Sequence, residues 1–209
     1  MSRIPTQISS ARKVFLNLKK QLENPKNAKA VEEFENALSK LITDYNTTVY
    51  ANRFIVGDAV EILLCALIRS VGMKCEISNQ ERTDLYIQIP NGAGGMFSVK
   101  SNFTGSGTIR LINVMGSSEG TTWSEPTIFL IAGKGIYYAD PYMNIPVNRT
   151  GDAITVSIKD LEKTKDEFKI TNVRISEKSH NQQSATSPAY DVVKSILDSI
   201  DSKQLRKFL

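Results

Sequence analysis

RTDLYIQIPNGAGGMFSVKSN, residues 82–102, reads as two short strands joined by a turn. In its first half Leu85, Ile87 and Ile89 alternate with Asp84, Tyr86 and Gln88, the period-two pattern of a half-buried strand. PNGAGG then supplies a proline with fixed φ and glycines that reach positive φ, which is turn chemistry. MFSVKSN alternates again, with Phe97 and Val99 on one face and Ser98 and Lys100 on the other. Paired as a hairpin, the strands place Asp84 and Lys100 on one face near one end. A carboxylate beside a lysine, flanked by small polar residues, can hold a divalent cation and a phosphate together. Taken as spacing alone, the same pair is equally a surface ion pair worth at most about 1 kcal/mol.

Working outward, residues 57–72, GDAVEILLCALIRSVG, read as a helix that is apolar nearly all round from Ala59 to Ile68, which implies burial on most sides. Glu61 interrupts it. A buried carboxylate is costly unless it is paired or coordinates a metal, so Glu61 either pairs with Arg53 or Arg69, sits at the helix edge, or points into a site. Asp58 lies one turn earlier and can share its face. MKCEIS is a strand before the hairpin. TIRLINVM, after a Gly/Ser-rich turn, suits a short helix capped at Ser106 or Thr108, with a strand as the alternative. TIFLIA, IYYAD, AITVSI and FKITNVRIS read as further strands, with DLEKTKDE as a helical turn or loop.

The ends are helical. Residues 9–24 carry Val14, Phe15, Leu18 and Leu22 on one stripe, with Ser9 or Ser10 as cap and Asn24-Pro25 as stop. Arg12, Lys13, Lys19 and Lys20 leave the rest of that helix basic, either as a solvated face or as a phosphate-facing arm. Residues 28–44 form a second amphipathic helix. Residues 176–188 are a polar linker, and 189–209 a last helix with a basic tail. The division expected is a single domain: an N-terminal helix pair over 1–50, an α/β core over 54–175, the linker, and the C-terminal helix.

At 209 residues the chain suits one such domain with a real core. No apolar run reaches the length of a membrane span, and the first residues lack a signal peptide's apolar core, so the expectation is a cytoplasmic protein without a membrane partner. Cys65 and Cys75 are read as reduced core residues. The net charge of +4 and a pI near 9.0 fit a nucleic-acid partner without requiring one. A single histidine, His180 in the linker, disfavours a His-dependent hydrolase or a His-rich zinc site.

From the residues, the candidate constellation is Glu61, Asp84 and Lys100, with the Val99 carbonyl as a further oxygen. Asp84 is a hard ligand suited to Mg²⁺. Lys100 would meet a phosphate or the attacking water. The order of these elements resembles the αβββαβ core of the PD-(D/E)xK nuclease superfamily, and within it looks most like a type II restriction endonuclease. The resemblance rests on Glu61 on the buried helix, on Thr83-Asp84 where the motif has Pro-Asp, and on Ser98-Val99-Lys100 where it has (Asp/Glu)-x-Lys. FSVKSN with the turn and TIRLIN after it is also similar to the segment behind the catalytic lysine in some restriction enzymes. It spans roughly residues 54–132.

The resemblance implies an α/β (α+β) fold whose mixed central sheet is flanked by helices. It also implies Mg²⁺-dependent hydrolysis of double-stranded DNA that leaves 5′-phosphates, and a homodimer matched to a palindromic site. Asp84, Glu61 and Val99 would hold the metal. Lys100 would act on the phosphate. Ser98 occupies the place of the second carboxylate, whose charge must come from elsewhere, from Glu61 first and Glu119 second. Ser101, Asn102, Arg110 and Asn113 follow the catalytic strand and are the candidate DNA contacts, since Arg and Asn can read base edges. The alternatives are another DNA nuclease of the same superfamily, an inactive DNA-binding module on its fold, and an unrelated α/β protein.

Overall fold

Helix α1 (Thr6–Leu22) forms where Ile8, Ala11, Val14, Phe15, Leu18 and Leu22 recur at three- and four-residue spacing, and all of these are buried. A turn follows in which the Asn24 side chain accepts from the Lys26 amide. Helix α2 (Ala28–Asp44) buries Val31, Phe34, Leu38, Leu41 and Ile42 in the same way. These elements belong to a computed structural model that describes residues 4–47, 49–78, 80–113, 122–150, 153–178 and 184–209. The N-terminal helix begins earlier than its serines suggested: the residue before it is Pro5, and Ser10 instead donates its hydroxyl to the Gly94 carbonyl at 2.6 Å.

Helix α3 runs Tyr50–Ser70, about two turns further toward the N-terminus than its apolar run suggested. The added turns are held by Asn52, which is fully buried. Its amide nitrogen donates to the Asn46 carbonyl, and its oxygen accepts from the Ala185 amide. The glycine at position 57 is therefore interior to the helix.

The main sheet has the order β1 (Lys74–Ile77), β2 (Leu85–Gln88), β3 (Gly94–Asn102), β5 (Thr127–Ile131), β6 (Gly135–Ala139), β9 (Lys169–Ile170). It is mixed: β3 and β5 are parallel and the other pairs antiparallel. A second sheet has the order β4 (Thr108–Asn113), β8 (Ala153–Ser157), β7 (Val147–Thr150). Short α4 (Ile158–Leu161) follows β8, and α5 (Ala189–Ser199) packs on α3 and α2.

Register defines two faces. Val99 and Ile128 are cross-strand partners, and both join the core formed with α1, α2, α3 and α5. Lys100 is opposite Phe129, whose ring belongs to a second core beneath the small sheet, with Ile109, Leu111, Ile154 and Val156. With both faces covered, β5 is buried throughout, which is why TIFLI is a continuous apolar run. Gly95 lets α1 approach β3: a Cβ there would lie 3.1 Å from Ala11 Cα.

Three expectations are corrected. TIRLIN is a strand and not a helix, because Ile109 and Leu111 are buried while Thr108 and Arg110 are exposed, a period of two. FKITNVRIS pairs only over Lys169–Ile170. The basic face of α1 is neither free nor a phosphate arm at Arg12 and Lys19. Arg12 forks onto buried Asp140 through Nε at 2.7 Å and Nη2 at 2.9 Å, and Lys19 Nζ donates to the Asp166 and Lys169 carbonyls. The mixed sheet with flanking helices is as expected, and among the described residues no helix is long and apolar enough to cross a membrane.

The C-terminal end is tied down by Glu33. Its carboxylate accepts from Ser202 Oγ and from the amides of Lys203, Gln204 and Leu205. Burial pushes this carboxyl's pKa up, but the four hydrogen bonds outweigh burial and hold it below the ordinary value of 4.5. A depressed carboxyl stabilises the fold above its unfolded pKa and loses that contribution as pH falls through the folded one. Glu33→Ala is therefore expected to cost about 2 kcal/mol or more at pH 7 by stranding buried donors. In thermal melts the gap to wild type is expected to narrow in acid.

Candidate active site

Asp84 precedes β2, where the antiparallel ladder of β2 and β3 ends at Leu85 and Phe97. The turn that delivers it passes through Arg82, at φ 69°. On β3 the Ser98 amide donates to the Pro126 carbonyl, toward β5. Alternation then turns the Val99 amide to the other edge, where it donates to Asp84 Oδ2 at 2.6 Å. The same oxygen accepts from Ser98 Oγ at 3.1 Å and from Lys100 Nζ at 3.4 Å. Asp84, Ser98 and Lys100 thus share one face and one end of the hairpin, as their alternation required. Both charged side chains are about three-quarters buried, with relative exposures of 24% and 28%.

Glu61 reaches this cluster from α3. No hydrogen bond or ion pair joins it to another residue among those described, so of the three readings the sequence left open, pairing with Arg53 or Arg69 is not the one realised. Arg69 instead donates to the Cys75 and Phe208 carbonyls. Burial, then the negative charges of Asp84 and Asp58, push the Glu61 carboxyl up to about 7, and Lys100 opposes them. Asp58, one turn earlier, is raised by burial and by Asp84. The structure therefore brings Glu61, Asp84 and Lys100 together and adds Asp58. Its signal in the sequence was the three-residue spacing from Glu61.

Ser98 is buried and donates to Asp84, so it fixes the carboxylate and supplies no negative charge. The donors suit a hard cation: two carboxylates whose mutual repulsion a positive charge would relieve, with the Val99 carbonyl on the Asp84 edge by strand alternation. Among the described residues no group of three or more His, Cys, Asp or Glu side chains is arranged to hold a metal. Mg²⁺ does not need one, because it is commonly held by one or two carboxylates, waters and substrate phosphates. Glu119 and His180 lie outside the described residues.

The expected DNA contacts separate. The Asn102 amide oxygen accepts from the Thr104 amide and hydroxyl and from the Gly105 amide, and its nitrogen donates to the Ser106 carbonyl. It builds the turn between β3 and β4. Ser101 is half-buried on β3, on the face opposite Ser98 and Lys100, and Arg110 is exposed on β4. Asn113 ends β4 opposite Ala153, and its side chain lies outside what the structure describes. Cys65 and Cys75 are buried and free, and a hydrogen bond with Cys65, together with burial, pushes the Cys75 thiol up, away from the thiolate form.

Comparison of the chain with protein-family models, with curated proteins and with solved structures finds no match in any of the three. The geometry of the cluster therefore carries the functional argument.

Between its ordinary value of 4.5 and about 7, Glu61 keeps a proton in the folded state that the unfolded chain releases. Its contribution to stability thus falls as pH rises through that window and is least favourable above it. Glu61→Gln is expected to melt above wild type at pH 8, and the difference is expected to vanish near pH 4. Calorimetric melts at the two pH values check this.

Proposed function

We propose that this chain is a Mg²⁺-dependent deoxyribonuclease that hydrolyses phosphodiester bonds of double-stranded DNA, and that it acts as a type II restriction endonuclease. The observation that carries the reading is the placement of Lys100 on Asp84 at 3.4 Å, with Glu61 on α3 near enough to feel the charge of both. A carboxylate pair and a lysine at one strand end is the set a phosphoryl substrate requires: acids to hold a cation, and a cation on the protein to meet the non-bridging oxygens.

In this reading Asp84, Glu61 and the Val99 carbonyl hold Mg²⁺. The bound ion supplies positive charge against the phosphoryl oxygen and the leaving oxygen. Asp84 is kept in place by the Val99 amide and the Ser98 hydroxyl, so its carboxylate needs no reorientation. Lys100 moves from Asp84 to a phosphate oxygen or to the attacking water. Glu61 gives up the proton that its surroundings favour when positive charge enters the cluster. Asp58 adds negative charge beside it, in the role that the absent second carboxylate leaves at Ser98. A palindromic site would be met by a two-fold dimer, with Arg110 a candidate for base contact.

A second reading, a DNA-binding module without activity, is supported by Ser98, which donates to Asp84 where an acid would add a metal ligand. Digestion of unmethylated phage DNA separates the two. Discrete fragments with Mg²⁺, none with EDTA, and a loss of roughly 10²–10³-fold in rate for Lys100→Ala support the restriction enzyme. A smear with the same dependence indicates a nuclease without sequence preference. Binding without cutting by wild type supports the inactive module.

A further inference from the structure

A groove of about 350 Å³ lies between the first half of α3 and the end of β3, walled by Thr47, Arg53, Gly57, Ser101, Thr104 and Lys178 among others. Two of its residues neighbour the site in sequence, and Gly57 also lies one helical turn before Glu61 on the same side of α3. Gly57 precedes Asp58 on α3, and Ser101 follows Lys100 on β3. The charge reverses between the two places. The cluster holds Asp58, Glu61 and Asp84, whereas the described lining of the groove contains Arg53 and Lys178, several hydroxyls and no acid.

The walls are built rather than incidental. Arg53 is anchored by Nε to the Thr47 carbonyl at 3.1 Å. The Lys178 amide donates to the Phe103 carbonyl at 2.8 Å, which fixes the segment after the last strand against the β3–β4 turn. Asn102 holds that turn in shape. Gly57 is anomalous for a helix interior, where glycine costs about 1 kcal/mol relative to alanine. No packing demands it, because a Cβ placed there meets nothing within 4 Å. What the glycine leaves is a bare helix backbone facing open space.

We propose that this groove is the subsite for the DNA backbone phosphate next to the scissile one, with Arg53 and Lys178 as its cationic contacts and Gly57 as the clearance that lets the strand lie against α3. The inference rests on the reading of Lys100 as the group that meets the scissile phosphate. It adds how the strand is held: acids and a cation at the bond that breaks, cations alone beside it. Neither Arg53 nor Lys178 carries a sequence signal, since the fold brings them together from opposite ends of the chain.

The test is binding of a fluorescein-labelled duplex, followed by anisotropy in EDTA across a salt series, for wild type, Arg53→Gln, Lys178→Gln, Gly57→Glu and Lys26→Gln. Each groove cation that meets a phosphate contributes about 0.9 to the slope of log affinity against log salt. Arg53→Gln and Lys178→Gln are each expected to reduce the slope by about that amount, and Lys26→Gln, on the turn between α1 and α2, to leave it unchanged. Gly57→Glu is expected to abolish binding without lowering the melting temperature. Wild-type slopes for both cation variants, with wild type still binding or cutting DNA, overturn the groove and leave the nuclease reading standing. Wild type that neither binds a duplex at any salt nor cuts one with Mg²⁺ overturns both.

Discussion

The hydrogen bond from the Val99 amide to Asp84 Oδ2 is the contact on which the arrangement of the site depends. It follows from a mismatch between two strands. β3 continues past the end of its ladder with β2 because its other edge is engaged by β5, so the Val99 amide faces an edge with no strand beside it. A half-buried N–H without a partner is costly, and the first side chain beyond the ladder is a carboxylate that can take it. That fixes Asp84, and Asp84 in turn gives Ser98 and Lys100, two alternating positions of the same strand, a common acceptor.

The distribution of buried acids separates scaffold from site. Glu33, Glu35 and Asp140 are each saturated. Glu33 takes four donors from the C-terminal segment, Glu35 takes the amide and guanidinium of Arg174, and Asp140 takes Arg12, the Tyr138 hydroxyl and the Tyr142 amide. These carboxylates sew distant segments together, and their charge is fully used. Glu61 is the opposite case. It has no donor among the described residues, two acids near it, and a proton held to about 7. A half-buried carboxyl left without a partner, in a fold that satisfies its buried acids, is a candidate for work on something that is not part of the chain.

Much of this was legible in the residues. The alternation through Leu85, Ile87, Phe97 and Val99 placed Asp84 and Lys100 on one face, and the single acid in the apolar run from Ala59 to Ile68 marked Glu61. What was not legible came from long-range geometry. TIRLIN is short, and its flanking glycines and serines fit a helix cap as well as a strand turn; burial of Ile109 and Leu111 against Phe129 and Ile131 decided it. The partners of Arg12 and Glu33 lie far along the chain, so locally Arg12 reads only as part of a basic helix face and Glu33 carries no signal. The extra turns at the start of α3 depend on Asn52 reaching Ala185, which no local pattern encodes.

The proposed function requires Asp84 and Glu61 to face each other across a cation site. Crystals grown with Mn²⁺ and measured at its absorption edge test it directly. An anomalous peak within about 2.5 Å of oxygens from both carboxylates is expected, with the Val99 carbonyl near enough to complete the protein's share. Loss of the peak in Asp84→Asn would locate it further. No peak at the cluster under saturating Mn²⁺, or a peak that leaves Glu61 uncoordinated and still protonated, would contradict the account and leave Asp84 and Lys100 as an ion pair that only closes a hairpin.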